Sequence, residues 1–182
     1  AAGEVGEIRE FAFETRTLVE EIRTIEGLDA TMSGEGRALV SDVELLEVAI
    51  EELEAEVTET EIIVELSSDL LFDFDKYDLK PVAETELQKL LLIIKQKRTG
   101  DVTINGFTDA KGSDSYNQRL SEQRASAVKG WLVEHGLSSS YLVANGLGES
   151  SPVAPNSNPD GSDNPDGRAK NRRVEIVIQT VS

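Results

Sequence analysis

From about residue 58 the hydrophobic period switches repeatedly, and this pattern most restricts the fold. Ile62, Val64 and Leu66 alternate with Glu61, Ile63 and Glu65, the two-residue period of a strand with one wetter face. A second short apolar piece, read as a strand, runs from Leu70 to Asp75. Pro81 stands where a helix would begin, and Leu87, Leu90, Leu91 and Ile94 carry its buried face to about Lys97. Val102, Ile104 and Gly106 to Thr108 form the next strand. After a loop at Asp109 to Ser113, Leu120, Val128, Trp131 and Leu132 mark a second helix. Ser115 and Gln118 resemble its capping box, and Gly136 ends it. Tyr141 to Gly146 and Arg173 to Val181 are strands, separated by a Pro/Asn/Asp/Gly stretch. The order β, α, β, α, β, loop, β predicts an α+β fold, a two-layer sandwich with the helices on one face of a sheet. Crossover helices predict parallel neighbours.

The first third differs. Residues 1–66 hold 19 Asp/Glu and 4 Lys/Arg, a net −15, and residues 67–182 hold 16 and 14, a net −2. No basic face with interleaved aromatics exists for nucleic acid. No apolar run approaches the roughly 18 residues of a membrane span. The absence of cysteine excludes disulfides and thiolate metal sites. The opening Ala-Ala-Gly-Glu has no basic or apolar leader, so the chain reads as a mature form or a cut piece.

Residues 4–26 fit a helix better than a strand, with Gly27 as its stop and a loop through Gly36. Leu39, Val43, Leu46, Ile50, Leu53 and Val57 recur at spacings of 4, 3, 4, 3, 4, with Ser41 and Glu44 as a capping box. Such a short seam must pack on something: a helical hairpin, the second domain, or another copy as a homodimer. The expected division is an acidic helical appendage at 1–57 and a sheet domain at 58–182.

The stretch from Gly106 to Val128 presents an acid at the mouth of a loop, Asp109, and a base further along a helix, Arg124. Opposite charges on a rigid frame suit a zwitterionic ligand. Arginine offers a planar fork to a carboxylate, and a helix start supplies free N–H groups.

Five ordered blocks then make the pattern specific. They are Phe72-Asp73-Phe74-Asp75-Lys76; Gly106-Phe107-Thr108-Asp109-Ala110-Lys111-Gly112; Tyr116-Asn117 with Leu120-Ser121, Arg124-Ala125 and Val128; Gly146-Leu147-Gly148-Glu149-Ser150 with Pro152; and Gly167-Arg168 with Asn171-Arg172-Arg173-Val174-Glu175. Together they resemble the OmpA C-terminal domain family over roughly residues 60–181. That family includes the peptidoglycan-associated lipoprotein and the periplasmic domains of flagellar motor stators. The resemblance implies non-covalent binding of peptidoglycan through the diaminopimelate of its stem peptide, tethering an envelope component in the periplasm, with outer-membrane association through a part outside this chain. It assigns the ligand's ammonium to Asp109 and its carboxylate to Arg124. Phe74, Asp75 and Asn117 line the site, and Arg172 or Arg173 reaches it.

Read without the family, Phe74, Tyr116 and Trp131 are expected in the core, and the single His135 carries no assigned chemistry. Asn156, Asn158 and Asp160 match the first ligand positions of a calcium loop, but Gly167 stands where a bidentate Glu is wanted. Stacked β-turns are the preferred reading, with no cofactor. Asp73-x-Asp75 at the end of an apolar strand also resembles an Asp-dependent phosphohydrolase, but the Thr expected two residues on is Tyr77. Binding rather than catalysis is expected.

Overall fold

The computed structural model describes residues 34–181, with side chains from Val43 onward. The helix expected at 4–26 lies outside the described residues. Val43–Ser182 forms one compact unit.

Helix α1 spans Gly34–Glu52. It starts before the expected capping box, so Ser41 lies inside the helix rather than at its cap. It also ends five residues before Val57. Leu46, Ala49 and Leu53 join the core, whereas Val43 and Val57 of the expected seam are exposed. The buried stripe is therefore a narrow one, and it lies before the expected boundary at 58. Glu54 closes the helix with φ at 49°, a left-handed turn made without glycine.

A two-residue strand, β1 (Glu56–Val57), turns back antiparallel onto β2 (Glu61–Ser67). Ile62, Val64 and Leu66 are buried as the alternation predicts. The strand expected at Leu70–Asp75 is instead one helical turn, α2 (Ser68–Leu71). The Ser67 hydroxyl accepts the Asp69 N–H and starts that turn, so local capping overrides the strand-like composition. Phe72 then pairs in an isolated bridge with Leu79 and closes the loop between them. Lys80 and Pro81 lead through a 3₁₀ turn into α3 (Glu84–Lys97), which buries Leu87, Leu90, Leu91, Ile93 and Ile94.

Strand β3 (Val102–Gly106) is followed by α4 (Asp114–Glu134), β4 (Leu142–Gly146), α5 (Pro165–Asn171) and β5 (Arg173–Gln179). The cap of α4 is Ser113, two residues before the expected Ser115; its hydroxyl accepts the Tyr116 N–H.

The sheet order is β1-β2-β5-β3-β4. β3 and β4 are parallel neighbours, as the crossover helix requires. β2 and β3 are not neighbours, because β5 lies between them, antiparallel to both. Its Val174, Ile176 and Ile178 are wholly buried, which suits a strand enclosed by neighbours on both edges. Their side chains meet those of α3 and α4, including Leu90, Val128 and Leu132, in one apolar layer. Each such side chain contributes about 1.5–3 kcal/mol by leaving water.

Candidate functional site

The buried stripe of α4 changes chemistry along its length. Asn117, Ser121 and Arg124 follow a 4, 3 spacing and continue directly into Val128, Trp131 and Leu132. All six are buried. The apolar end fills the core, while the polar end meets the carboxyl ends of β3 and β4. Glycine makes that approach possible. A Cβ at Gly106 would collide with the Ser121 carbonyl oxygen, and one at Gly146 with the Glu122 backbone nitrogen.

Asp109 follows β3 and is buried. Its Oδ1 accepts the Lys111 N–H at 3.0 Å, while Oδ2 accepts Arg172 Nη1 at 2.7 Å and Arg168 Nη1 at 3.2 Å. Each arginine is held from behind by a second carboxylate. Arg172 donates Nε and Nη2 to Asp69 at 2.9 and 2.7 Å, and Arg168 donates Nε and Nη2 to Asp163 at 2.8 and 2.7 Å. The result is an alternating line: Asp69, Arg172, Asp109, Arg168, Asp163. Burial pushes the Asp109 carboxyl up, but the Lys111 amide and the two guanidiniums together outweigh it and hold it below the usual carboxylate range. The hydrogen bonds from Arg172 likewise hold Asp69 down, and those to Asp69 hold the Arg172 guanidinium above its ordinary value.

Arg124 is different. Among the described residues its one hydrogen bond runs from Nε to the Lys76 carbonyl at 3.0 Å, and it makes no ion pair. It is only 4 % exposed, with its guanidinium 5.2 Å from the centre of the Phe72 ring. Burial lowers its affinity for the proton, an effect opposed by the fields of Asp69, Asp75 and Asp109. Asn117 is buried beside these groups and donates to the Asp109 carbonyl at 3.2 Å and to Glu149 at 2.8 Å.

The fold thus gathers Asp109, Asn117, Arg124 and Arg172, with Asp75 within electrostatic reach of Arg124. Asp75 sits at φ 61° in the loop whose Lys76 carbonyl holds Arg124. Phe74 of that loop is 96 % exposed, not part of the core. Tyr116 is also exposed rather than core; Trp131 is buried. Arg173 is turned away. It alternates with Val174 along β5, lies 3.9 Å over the Phe107 ring, and donates to Glu65 at 3.2 Å.

Arg168, Asp69 and Asp163 were not among the candidates read from the sequence. Arg168 and Arg172 are four residues apart, a spacing that signals one helical face only if 165–171 is recognised as a helix. The tetrapeptide Asn-Pro-Asp-Gly, which occurs twice, at 158–161 and at 164–167, hides this. Its first copy is a turn closed by the Gly161 N–H to the Asn158 carbonyl at 2.9 Å. Its second copy begins α5, where Asn164 caps the Gly167 N–H at 3.0 Å and Pro165 takes the first helical position. The expected stack of turns is thus half turn and half helix.

The weak metal candidates are engaged in holding this loop. Asn156 Oδ1 accepts from Asn171 at 2.9 Å, Asn158 donates to Ser162 and to the Asp163 carbonyl, and Asp160 accepts from Ser162. Asp73 of the Asp-x-Asp pair is exposed and faces Lys76 at 3.4 Å. The strand that the phosphohydrolase reading requires is replaced by α2. His135 stacks on Trp131 with ring centres 3.7 Å apart.

The sheet is mixed, α3 and α4 pack in its apolar layer, and a buried acid–base cluster stands at its end. The OmpA family model matches residues 71–165, so the chain belongs to the OmpA family. It is 49 % identical over 119 residues to photosystem I P700 chlorophyll a apoprotein A2 of Gloeobacter violaceus, covering 65 % of this chain and 14 % of that protein. It is 41 % identical over 118 residues to outer membrane porin F of Pseudomonas aeruginosa, covering 64 % of this chain and 32 % of the porin. The chain therefore spans a third or less of the length of these relatives. Among solved structures, the cell wall anchor of the T6SS from Pseudomonas aeruginosa superposes with a TM-score of 0.61 at 25 % identity, covering 76 % of this chain and 96 % of that one. A MotB-like protein from Desulfovibrio vulgaris gives 0.58 at 27 % identity, covering 78 % and 96 %.

Proposed function

We propose that residues 58–182 bind peptidoglycan non-covalently through the diaminopimelate of its stem peptide and so tether an envelope component to the cell wall. The observation that carries this is Arg124: a buried guanidinium that uses one of its five N–H donors within the described protein. Burying a charge without an anionic partner is costly, so the arrangement is stabilised by a ligand carboxylate that accepts the remaining fork. Asp109 receives the ammonium. A carboxylate has about four acceptor positions, of which three are filled, and the fourth is left for the ligand. Asn117, Asp75 and the exposed Phe74 line the approach, and Arg172 supports Asp109. A ligand carrying only one of the two charges would leave a site group unpaired, at about 1–3 kcal/mol or more.

The role is binding rather than catalysis, in the periplasmic space. The likeness to a structure described as a cell wall anchor supports the tethering part of this reading. The acidic segment that precedes Val43 mediates self-association. Purified diaminopimelate-type peptidoglycan should retain the protein and free diaminopimelate should release it, whereas lysine-type peptidoglycan, whose side chain ends in an ammonium with no carboxylate beside it, should not retain it. Equal retention of wild type and Arg124→Ala would refute the site assignment. Equal sedimentation of the full chain and residues 43–182 as monomers would refute the self-association.

A further inference from the structure

A second surface lies on the β2 side of the sheet, and none of the residues of the acid–base line borders it. All seven residues of β2 pair with β5 along one edge. Along the other edge, β1 pairs only with Ile62 and Ile63. Among the described residues no strand covers Val64 to Ser67 on that side. This open edge forms one wall of a cleft of about 500 Å³. Leu53, Leu66 and Leu70 contribute its apolar lining, and Glu54, Glu56 and Glu65 are exposed on its rim. Glu52 and Glu86 also border it and share Lys89, at 2.8 and 3.1 Å. Glu54 and Glu56 form no ion pair among the described residues.

We propose that this cleft receives an extended, basic segment of a partner protein, which adds as a strand along β2. Three observations converge on that chemistry. An unpaired strand edge offers backbone donors and acceptors in the register of a new strand. The apolar lining on one side of the edge takes alternate side chains of an added strand. The glutamate rim takes the intervening ones if they are Lys or Arg, and it raises the rate of encounter. The same rim argues against a second copy of this chain, because pairing two β2 edges would bring Glu65 side chains of like charge together. The chain's own first 33 residues carry eight acidic and three basic residues, the wrong sign for the cleft.

The test uses the full chain and a fluorescent peptide of nine residues alternating Lys and Val. Saturable binding is expected. It should weaken at least tenfold when alternate peptide amides are N-methylated, since methylation removes strand donors but keeps every charge. It should weaken at least tenfold with Glu54→Lys/Glu56→Lys, a variant expected to keep its retention on peptidoglycan. Binding of the peptide should slow amide exchange at Glu65 and Ser67. Equal affinity for the N-methylated peptide, equal affinity of the double variant, or the lack of saturation would each overturn the proposal. Should the double variant fail to fold, the N-methylated peptide with wild-type protein decides the matter alone.

Discussion

The two polar surfaces of this domain are built on opposite principles. At Asp109 the charges alternate, and each arginine of the line bridges two carboxylates. In the cleft beside β2 the charges are of one sign, relieved among the described residues by Lys89 and by the Arg173 contact to Glu65. Interleaved charges cancel at a distance and act through geometry, so such a site selects a ligand by the placement of its groups. A one-sign rim acts at range and is screened by salt over about 8–10 Å. The proposed wall-binding site therefore depends on geometry, and the proposed docking cleft on charge.

The largest effect is expected from Arg124→Ala. It removes the guanidinium left open by the protein itself, and retention on peptidoglycan should fall at least about 30-fold, equivalent to about 2 kcal/mol for a charge-assisted contact. Basic-peptide binding in the cleft should not change, and a parallel loss there would merge the two surfaces into one. Next come the adjacent arginines. Arg172→Ala deprives Asp69 and Asp109 of a partner, so wall affinity should drop about tenfold and stability by about 2 kcal/mol. Arg173→Ala should lower the melting temperature through lost packing on Phe107 while leaving wall affinity of the folded protein intact; equal losses from both would contradict their opposite orientations.

A smaller effect is expected where the repeat splits. A Cβ at Gly167 would strike the Pro155 carbonyl, so Gly167→Ala should destabilise by about 1–3 kcal/mol and shift Arg168. Gly161→Ala meets open space but stands at φ 85°, and should cost about 1 kcal/mol without touching wall affinity. The smallest effect at ordinary pH is that of pH itself. Asp69 and Asp109 are held below their ordinary values, so their contribution is complete above the unfolded carboxylate range near pH 4. It is lost as pH falls through the folded values. Thermal melts should therefore show no loss from this source between pH 5 and 8 and a decline below about pH 4, and Asp109→Asn should flatten that decline.

Much of this was legible in the sequence. The buried faces of β2 and β5 follow from alternation, and those of α3 and α4 from helical spacing. Asp109 and Arg124 stood out because an acid after a strand and a base on the next helix form a recognisable pair. Short-range competition obscured other elements. Ser67 caps a turn where composition suggested a strand, and Asn164 caps a helix where an identical tetrapeptide earlier makes a turn. Phe74 looked like core by hydrophobicity alone, yet its loop is fixed by the Phe72–Leu79 bridge and points it into solvent.

By itself the sequence determined which residues share a face, because side-chain direction follows from the local period of the backbone. It also determined the family, through five motifs in order. Only the tertiary structure decided that β5, last in the chain, sits between β2 and β3. Only the fold decided that Arg168 and Asp69 complete the line around Asp109, and that Arg172 faces the site while Arg173 faces away. The reason is that strand order and ion-pair partners join residues far apart in the chain, such as Asp69 and Arg172, and are chosen by burial and charge after the elements have formed.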